Sequence, residues 1–257
     1  MKCNAEGRKG LPVAEIVVVV PARDEEELID RCLRSIVESA RQVSVMVHIC
    51  VVADGCLDQT VPIAQMIAGV NVVEIDSSNV GTARAAGVAH ALTLVHYPLD
   101  QVWIANTDAD SEVPLGWLED HLRLADIGAD AVVGTVRPDF TDLTPAQVRA
   151  WLVTHPSGVV NGHVHGANLG IRASAYQKAG GYRTVPEHED ADLVHRLRSF
   201  SVTAECEVLT SGRRFGRTPG GYARYLREDL ENAAARRQIS DPSADATSAV
   251  SPGLAPQ

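Results

Sequence analysis

Aromatic residues make up only 4% of this chain, and its longest apolar runs fall well short of the roughly 20 residues that a membrane-spanning helix needs. Cysteine is sparse and scattered: Cys3, Cys32, Cys50, Cys56 and Cys206 form no CxxC pair. That excludes a zinc knuckle and a disulfide framework, and leaves free or buried thiols in a reducing cytoplasm as the expected state. Basic residues are outnumbered 23 to 33, for a net charge of −10, which argues against a general nucleic-acid binder. Met1–Gly10 is polar and of mixed charge, with no apolar centre, so it does not read as a secretory signal.

What remains is an ordinary globular mixture, 45% hydrophobic and 22% charged, in 257 residues. That length can bury a sizeable core. Residues 1–12 read as a loose arm. Residues 240–257, rich in Ser, Ala, Pro and Asp, read as a disordered tail. Residues 13–239 carry no linker and no internal repeat, so one domain is expected.

The body alternates strand-like and helix-like segments. Strands are expected at Ile16–Val20, Val45–Val52, Val70–Ile75, Val102–Ala105 and Ala131–Val136. Helices are expected at Glu25–Ala40, Gln59–Ala68, Gly81–His96 and Pro114–Asp126. This rhythm predicts an α/β fold, Rossmann-like, with a mostly parallel central sheet flanked by helices. Ligands bind such sheets at the carboxyl ends of the strands. Pro21-Ala22-Arg23, Asp54-Gly55 and Asp108-Ala109-Asp110 all fall there.

Two carboxylate clusters stand out: Asp108 with Asp110 behind an apolar strand, and Glu189-Asp190-Ala191-Asp192 at the mouth of an amphipathic helix. Paired carboxylates suit a hard divalent cation, and a carboxylate at a helix start suits a general base. Together they point to metal-assisted chemistry on a phosphate-bearing substrate. The bland reading of the first cluster is a solvated loop capping the next helix. Asp192 should point about 200° around the helix from Asp190 and pair with Arg196 at i+4. His163 and His165 share one face of a strand, and with His188 a zinc site is conceivable; polar loop histidines near an acceptor pocket are the better reading.

Six segments in order resemble family 2 glycosyltransferases of the GT-A fold, of the non-processive type without a membrane span. They are VVVVPARDEEELIDRCLRSI, VVADGCLDQT, NVGTARAAGVAHAL, NTDADSEVPLGWL, GANLGIRASAYQKAGGY and EHEDADLVHRL. The resemblance implies an inverting, metal-dependent transfer of a hexose from a nucleoside-diphosphate-sugar to a hydroxyl acceptor. It implies Mn²⁺ or Mg²⁺ as cofactor, with UDP the foremost donor nucleotide and GDP the alternative. Residue by residue, it implies Asp190 as the catalytic base and Asp110 as the metal ligand. Asp108 would contact ribose, Asp54 the nucleotide base, and Pro21, Arg23 and Glu25 would border base and ribose. Gly166 and Asn168 would lie by the sugar, and Glu189 would touch the acceptor or support its loop. Arg84 would meet the diphosphate or form an exposed ion pair. The sequence departs from the family at Ala53, Cys56 and Ala85. Arg213, Arg214 and Arg217 are a candidate lid over the diphosphate. A catalytically degenerate nucleotide-sugar-binding or partner subunit is one rival reading. A sugar-phosphate nucleotidyltransferase is the other, although its glycine-rich loop is absent after the first strand.

Overall fold

The computed structural model describes residues 11–156, 158–160, 162–197, 200–216 and 221–232. The expected tail, residues 240–257, and Arg217 lie outside them. The chain divides into two compact units, Met1–Asp139 with Ser157–Ser211, and Phe140–Pro156 with Gly212–Gln257.

The first unit holds an eight-stranded sheet among the described residues. Its strands are β1 (Glu15–Ala22), β2 (Met46–Asp54), β3 (Val70–Ile75), β4 (Val102–Asn106), β5 (Ser111–Glu112), β6 (Ala131–Pro138), β7 (Leu169–Arg172) and β8 (Ser201–Thr210). The spatial order is β3-β2-β1-β4-β7-β6-β8-β5. Ile16–Val20 of β1 are fully buried, as a β-branched run covered on both faces should be. The helices are α1 (Ile29–Ala40), α2 (Thr60–Gln65), α3 (Val80–Ala91), α4 (Trp117–Asp126), α6 (Ala173–Lys178) and α7 (Glu189–Arg196), with α5 (Pro145–Thr154) in the other unit. No helix among the described residues is long and apolar enough to cross a membrane.

The expected α/β architecture holds, but the sheet is mixed. β3, β2, β1 and β4 run parallel, whereas β7 is antiparallel to both β4 and β6, and β5 is antiparallel to β8. The βαβ rhythm stops after β6, and β7 enters by a 3₁₀ turn at Gly166–Asn168 instead of a crossover helix. β8 went unexpected because its hydrophobic alternation is inverted in part. Ser201 and Thr203 face inward while Val202 is exposed.

All four expected helices are shorter than their patterns suggest, α4 beginning at Trp117 instead of Pro114. α1 starts four residues late because Asp24 takes a left-handed backbone (φ 50°) and residues 25–28 form a turn. α3 stops at Ala91 and α2 at Gln65.

The second unit packs Leu143, Ala150, Trp151, Leu226 and Leu230, with Tyr222 and Tyr225 against them. α5 opens with a capping box: Thr144 accepts from the Gln147 amide, and the Gln147 side chain accepts from the Thr144 amide. Its last helical segment begins at Tyr222 and widens into a π-turn over Tyr225–Asp229. Here Arg214 pairs with Glu231, and Arg227 lies over the Phe215 ring at 5.3 Å.

Candidate active site

The parallel strands β1, β2 and β4 end at one rim of the sheet, and the loops that follow them carry the acidic residues. Asp54 closes β2. Its Oδ1 accepts the amides of Ser77 (2.6 Å) and Ser78 (3.0 Å), and its Oδ2 accepts the Ser77 hydroxyl (2.9 Å) and the Asn79 amide (3.0 Å). Burial alone would raise its pKa, but the bonds from Ser77, Ser78 and Asn79 outweigh it and hold the carboxyl below the usual range. Asp54 therefore organises the turn between β3 and α3, where Ser78 is also left-handed (φ 52°). Both its oxygens are engaged there.

The 21–26 and 56–60 loops lace together beside it. The Leu57 amide donates to Asp24 Oδ1 (2.7 Å) and the Glu26 amide to Asp58 Oδ2 (3.0 Å). In return the Gln59 amide donates to Glu26 Oε2 (2.9 Å), and the Glu25 amide to Thr60 Oγ1 (2.7 Å). Asp24, Cys56 and Asp58 bring one ligand atom each within 4.8 Å of one another, but the two carboxylates serve these amides. Pro21 pairs with Val52 and, like Arg23, is half-buried. Glu25 is buried, so only Pro21 and Arg23 of the expected donor-side trio offer surface.

Asp108 and Asp110 follow β4, both half-buried, on either side of buried Ala109. Asp110 Oδ1 lies 3.4 Å from the Ser111 and Thr210 hydroxyls, and its carbonyl accepts the Ser211 amide at 3.1 Å. Below, the Cys32 thiol donates to the Asp108 carbonyl at 3.3 Å. Burial, reinforced by Asp110 and Asp108, pushes that thiol well above its usual pKa. The side chains of Asp108 and Asp110 offer oxygen donors, which fit Mg²⁺ or Mn²⁺.

Arg84 departs from expectation. It is 2% exposed, so it is not an exposed ion pair. Its Nη2 bonds Asp108 Oδ1 at 2.5 Å and its Nε bonds Glu189 Oε1 at 3.1 Å. Nη1 is buried and has no hydrogen-bond partner among the described residues. One guanidinium thus joins the two acidic motifs, 81 positions apart in sequence.

Asp190 stands in the first turn of α7, after His188 in a left-handed conformation (φ 62°). Its Oδ2 accepts the Gly166 amide and its Oδ1 the Ala191 amide, each at 2.7 Å. Burial, and next the charge of Glu189, raise its pKa; the Ala191 amide, Arg84 and the Gly166 amide only partly oppose them. A carboxylate with raised proton affinity suits a general base. Asp192 turns away to Arg196 (2.7 Å), as the helix geometry requires.

Gly166 lies where a side chain could not. A Cβ there would sit 2.3 Å from Arg84 Nη2. Asn168 is fully buried and does not face a sugar. Its Oδ1 accepts Trp117 Nε1 (2.9 Å), and its Nδ2 donates to the carbonyls of Thr135 (2.8 Å) and Cys206 (2.9 Å). Glu189 is buried against Arg84 and supports the loop. His163 and His165 have ring centroids 6.2 Å apart, and no third metal-ligating side chain joins them among the described residues.

Two contributors were missed in the sequence. The Gly166 amide is a backbone group and carries no residue-type signal. The Trp103–His121–Trp117 cluster behind Asn168 looks like ordinary helix and strand packing. In it, Trp103 Nε1 donates to His121 Nδ1 at 3.1 Å, and burial pushes the His121 pKa down to about 4.

The family model described as "Glycosyl transferase family 2" matches residues 17–177. None of the curated proteins matches the chain. Among solved structures, S. aureus TarS 1-349 in complex with UDP-GlcNAc superposes with TM-score 0.57 at 14% identity, covering 88% of this chain and 66% of that one. The mannosyltransferase PcManGT from Pyrobaculum calidifontis, in complex with GDP-Man and Mn2+, gives TM-score 0.56 at 20% identity, covering 93% of this chain and 67% of that one. A longer TarS structure matches over 77% of this chain and 36% of its own length, with TM-score 0.57 and 15% identity. The chain therefore spans just under two thirds of the TarS 1-349 chain. At such identities these likenesses establish a shared fold.

Proposed function

Because this chain belongs to glycosyltransferase family 2, we propose that it transfers a hexose from a nucleoside-diphosphate-sugar to a hydroxyl acceptor, with inversion at the anomeric carbon. The observation that carries this reading is Asp190, held at the start of α7 by the amides of Gly166 and Ala191 and lifted in proton affinity. In the transfer the acceptor oxygen attacks the anomeric carbon in line with the departing diphosphate oxygen. The new C–O bond forms as the old one breaks, and the bonding pair leaves with the nucleoside diphosphate. Asp190 takes the acceptor proton, so no covalent protein intermediate is needed.

Asp110, with Asp108 beside it, would hold Mn²⁺ or Mg²⁺. Such an ion supplies charge neutralisation for the leaving diphosphate. Pro21, Arg23 and the Asp54-anchored 77–79 turn form the donor nucleotide side. The fold's relatives in complex with UDP-GlcNAc and with GDP-Man and Mn2+ support UDP and GDP as donor nucleotides.

The test is nucleotide release from UDP-glucose, UDP-GlcNAc and GDP-mannose, each with and without Mn²⁺. Metal-dependent release of one nucleoside diphosphate supports the reading. Folded protein that releases none, and whose melting temperature no diphosphate shifts, would overturn it.

A further inference from the structure

Resting on the transferase reading above, we propose that Arg84 is a positioning residue: it clamps Asp108 to Glu189 and, through Gly166, fixes the place of Asp190. Four contacts carry this. The guanidinium bonds Asp108 Oδ1 (2.5 Å) and Glu189 Oε1 (3.1 Å) from two different nitrogens. It packs closely against Gly166, where an added Cβ would be 2.3 Å from Nη2. The same Gly166 gives its amide to Asp190 Oδ2 at 2.7 Å. Arg84 therefore touches the donor-side carboxylate, the neighbour of the base, and the backbone that holds the base.

The helix that bears Arg84 is itself docked on the segment leading to the base. Asn79, its N-cap, donates Nδ2 to the Val185 carbonyl at 2.7 Å, and the Thr82 and Thr184 hydroxyls lie 3.0 Å apart. Gly81 leaves no room for a side chain, since a Cβ there would be 2.6 Å from the Arg183 carbonyl and 3.1 Å from Glu189 Cβ. α3 and the 183–189 segment are thus closely packed together, and Arg84 links them to Asp108. A planar guanidinium can serve two carboxylates in fixed directions, whereas a lysine ammonium is a point charge on a flexible stem. The chemistry Arg84 governs is the geometry of proton removal, where a misplacement of about 1 Å can lower the rate roughly 10²-fold.

The experiment compares wild type with Arg84→Lys and Glu189→Gln, using whichever of UDP-glucose, UDP-GlcNAc or GDP-mannose the wild type turns over. It records kcat and donor KM for nucleotide release, the Kd of the product diphosphate by calorimetry, and the far-UV CD spectrum. The expected result is a kcat about 10²-fold lower in each folded variant, with donor KM and diphosphate Kd within about threefold of wild type. The inference is overturned if folded variants keep kcat within threefold, or if the loss appears in donor KM and Kd at unchanged kcat. Should Arg84→Lys not fold, Glu189→Gln decides by the same criteria, because it keeps the side-chain shape and removes the charge that holds Arg84 Nε. Absence of turnover in the wild type with every donor overturns the transferase reading, and this inference with it.

Discussion

The backbone amide of Gly166 points at Asp190 Oδ2 from 2.7 Å, across 24 positions of sequence. A residue without a side chain thus orients the carboxylate proposed as base, and it does so from the 3₁₀ turn that leads into the strand breaking the parallel order of the sheet. The geometry accounts for two features at once. It fixes one oxygen of Asp190, and it leaves the guanidinium of Arg84 room to lie alongside.

Replacing Asp190 by Asn keeps the shape and removes the proton acceptor. The expected loss in kcat for nucleotide release is about 10²- to 10⁴-fold, with donor KM changed little. A steady-state assay over a range of donor concentrations separates the two. Unchanged kcat would remove Asp190 from the base role.

The raised pKa of Asp190 sets the sign of the pH dependence. The base works only when ionised, so kcat/KM should rise with pH through a limb above the ordinary carboxyl value of 3.8. Burial and the neighbouring Glu189 charge hold the proton on at pH values where a free aspartate would already have lost it. A profile from pH 4 to 8, corrected for stability, checks this. A flat profile down to pH 4 contradicts it.

Gly166→Ala forces a methyl group into the 2.3 Å approach of Arg84 Nη2. The overpacking should cost about 1–3 kcal/mol of stability. For a domain of this size that is roughly 2–4 °C of melting temperature per kcal/mol, measurable by thermal denaturation. The same shift should lower kcat, since the amide that holds Asp190 moves with the backbone. A melting curve identical to wild type would show that the backbone absorbs the methyl group without strain.

His121 supplies a second pH effect, on stability. Its pKa is depressed from 6.5 to about 4 by burial, so the folded chain keeps it neutral while the unfolded chain protonates it. The stabilising difference is complete above pH 6.5 and is lost as pH falls toward 4, to a total of about 3 kcal/mol. Urea titrations between pH 4 and 7 should show this decline. His121→Gln should flatten it, and an equally steep decline in that variant would assign the effect elsewhere.

The first half of the fold was readable in the sequence because β-branched runs such as Ile16–Val20 alternate with amphipathic helices such as α1. Each segment there announces its own period. The second half was less readable for physical reasons. β7 is four residues long and enters from a 3₁₀ turn, and β8 places Ser201 and Thr203 inward, so neither shows the hydrophobic alternation of a strand. At the candidate site the acidic residues were visible as types, and the structure gathers Asp108, Glu189 and Asp190 around Arg84. Their partners were not visible. Sequence cannot distinguish an arginine that faces an anionic ligand from one that is neutralised by two carboxylates of its own chain. Nor can it mark Asn168 as a buried tie between Trp117 and two strand carbonyls.

The reversal of β7 has an evolutionary consequence. Leu169 pairs with Asn106 at the close of β4 and with Val133 in β6, so β6 ends and β7 begins at one rim of the sheet. The two attachment points of the stretch between Pro138 and Gly166 in the sheet unit, the end of β6 and the turn before β7, lie at that rim, and no strand must change register when the length or composition between them changes. Such a stretch can be exchanged as a cassette. Its residues can change while Asp108, Arg84 and Glu189 stay in place.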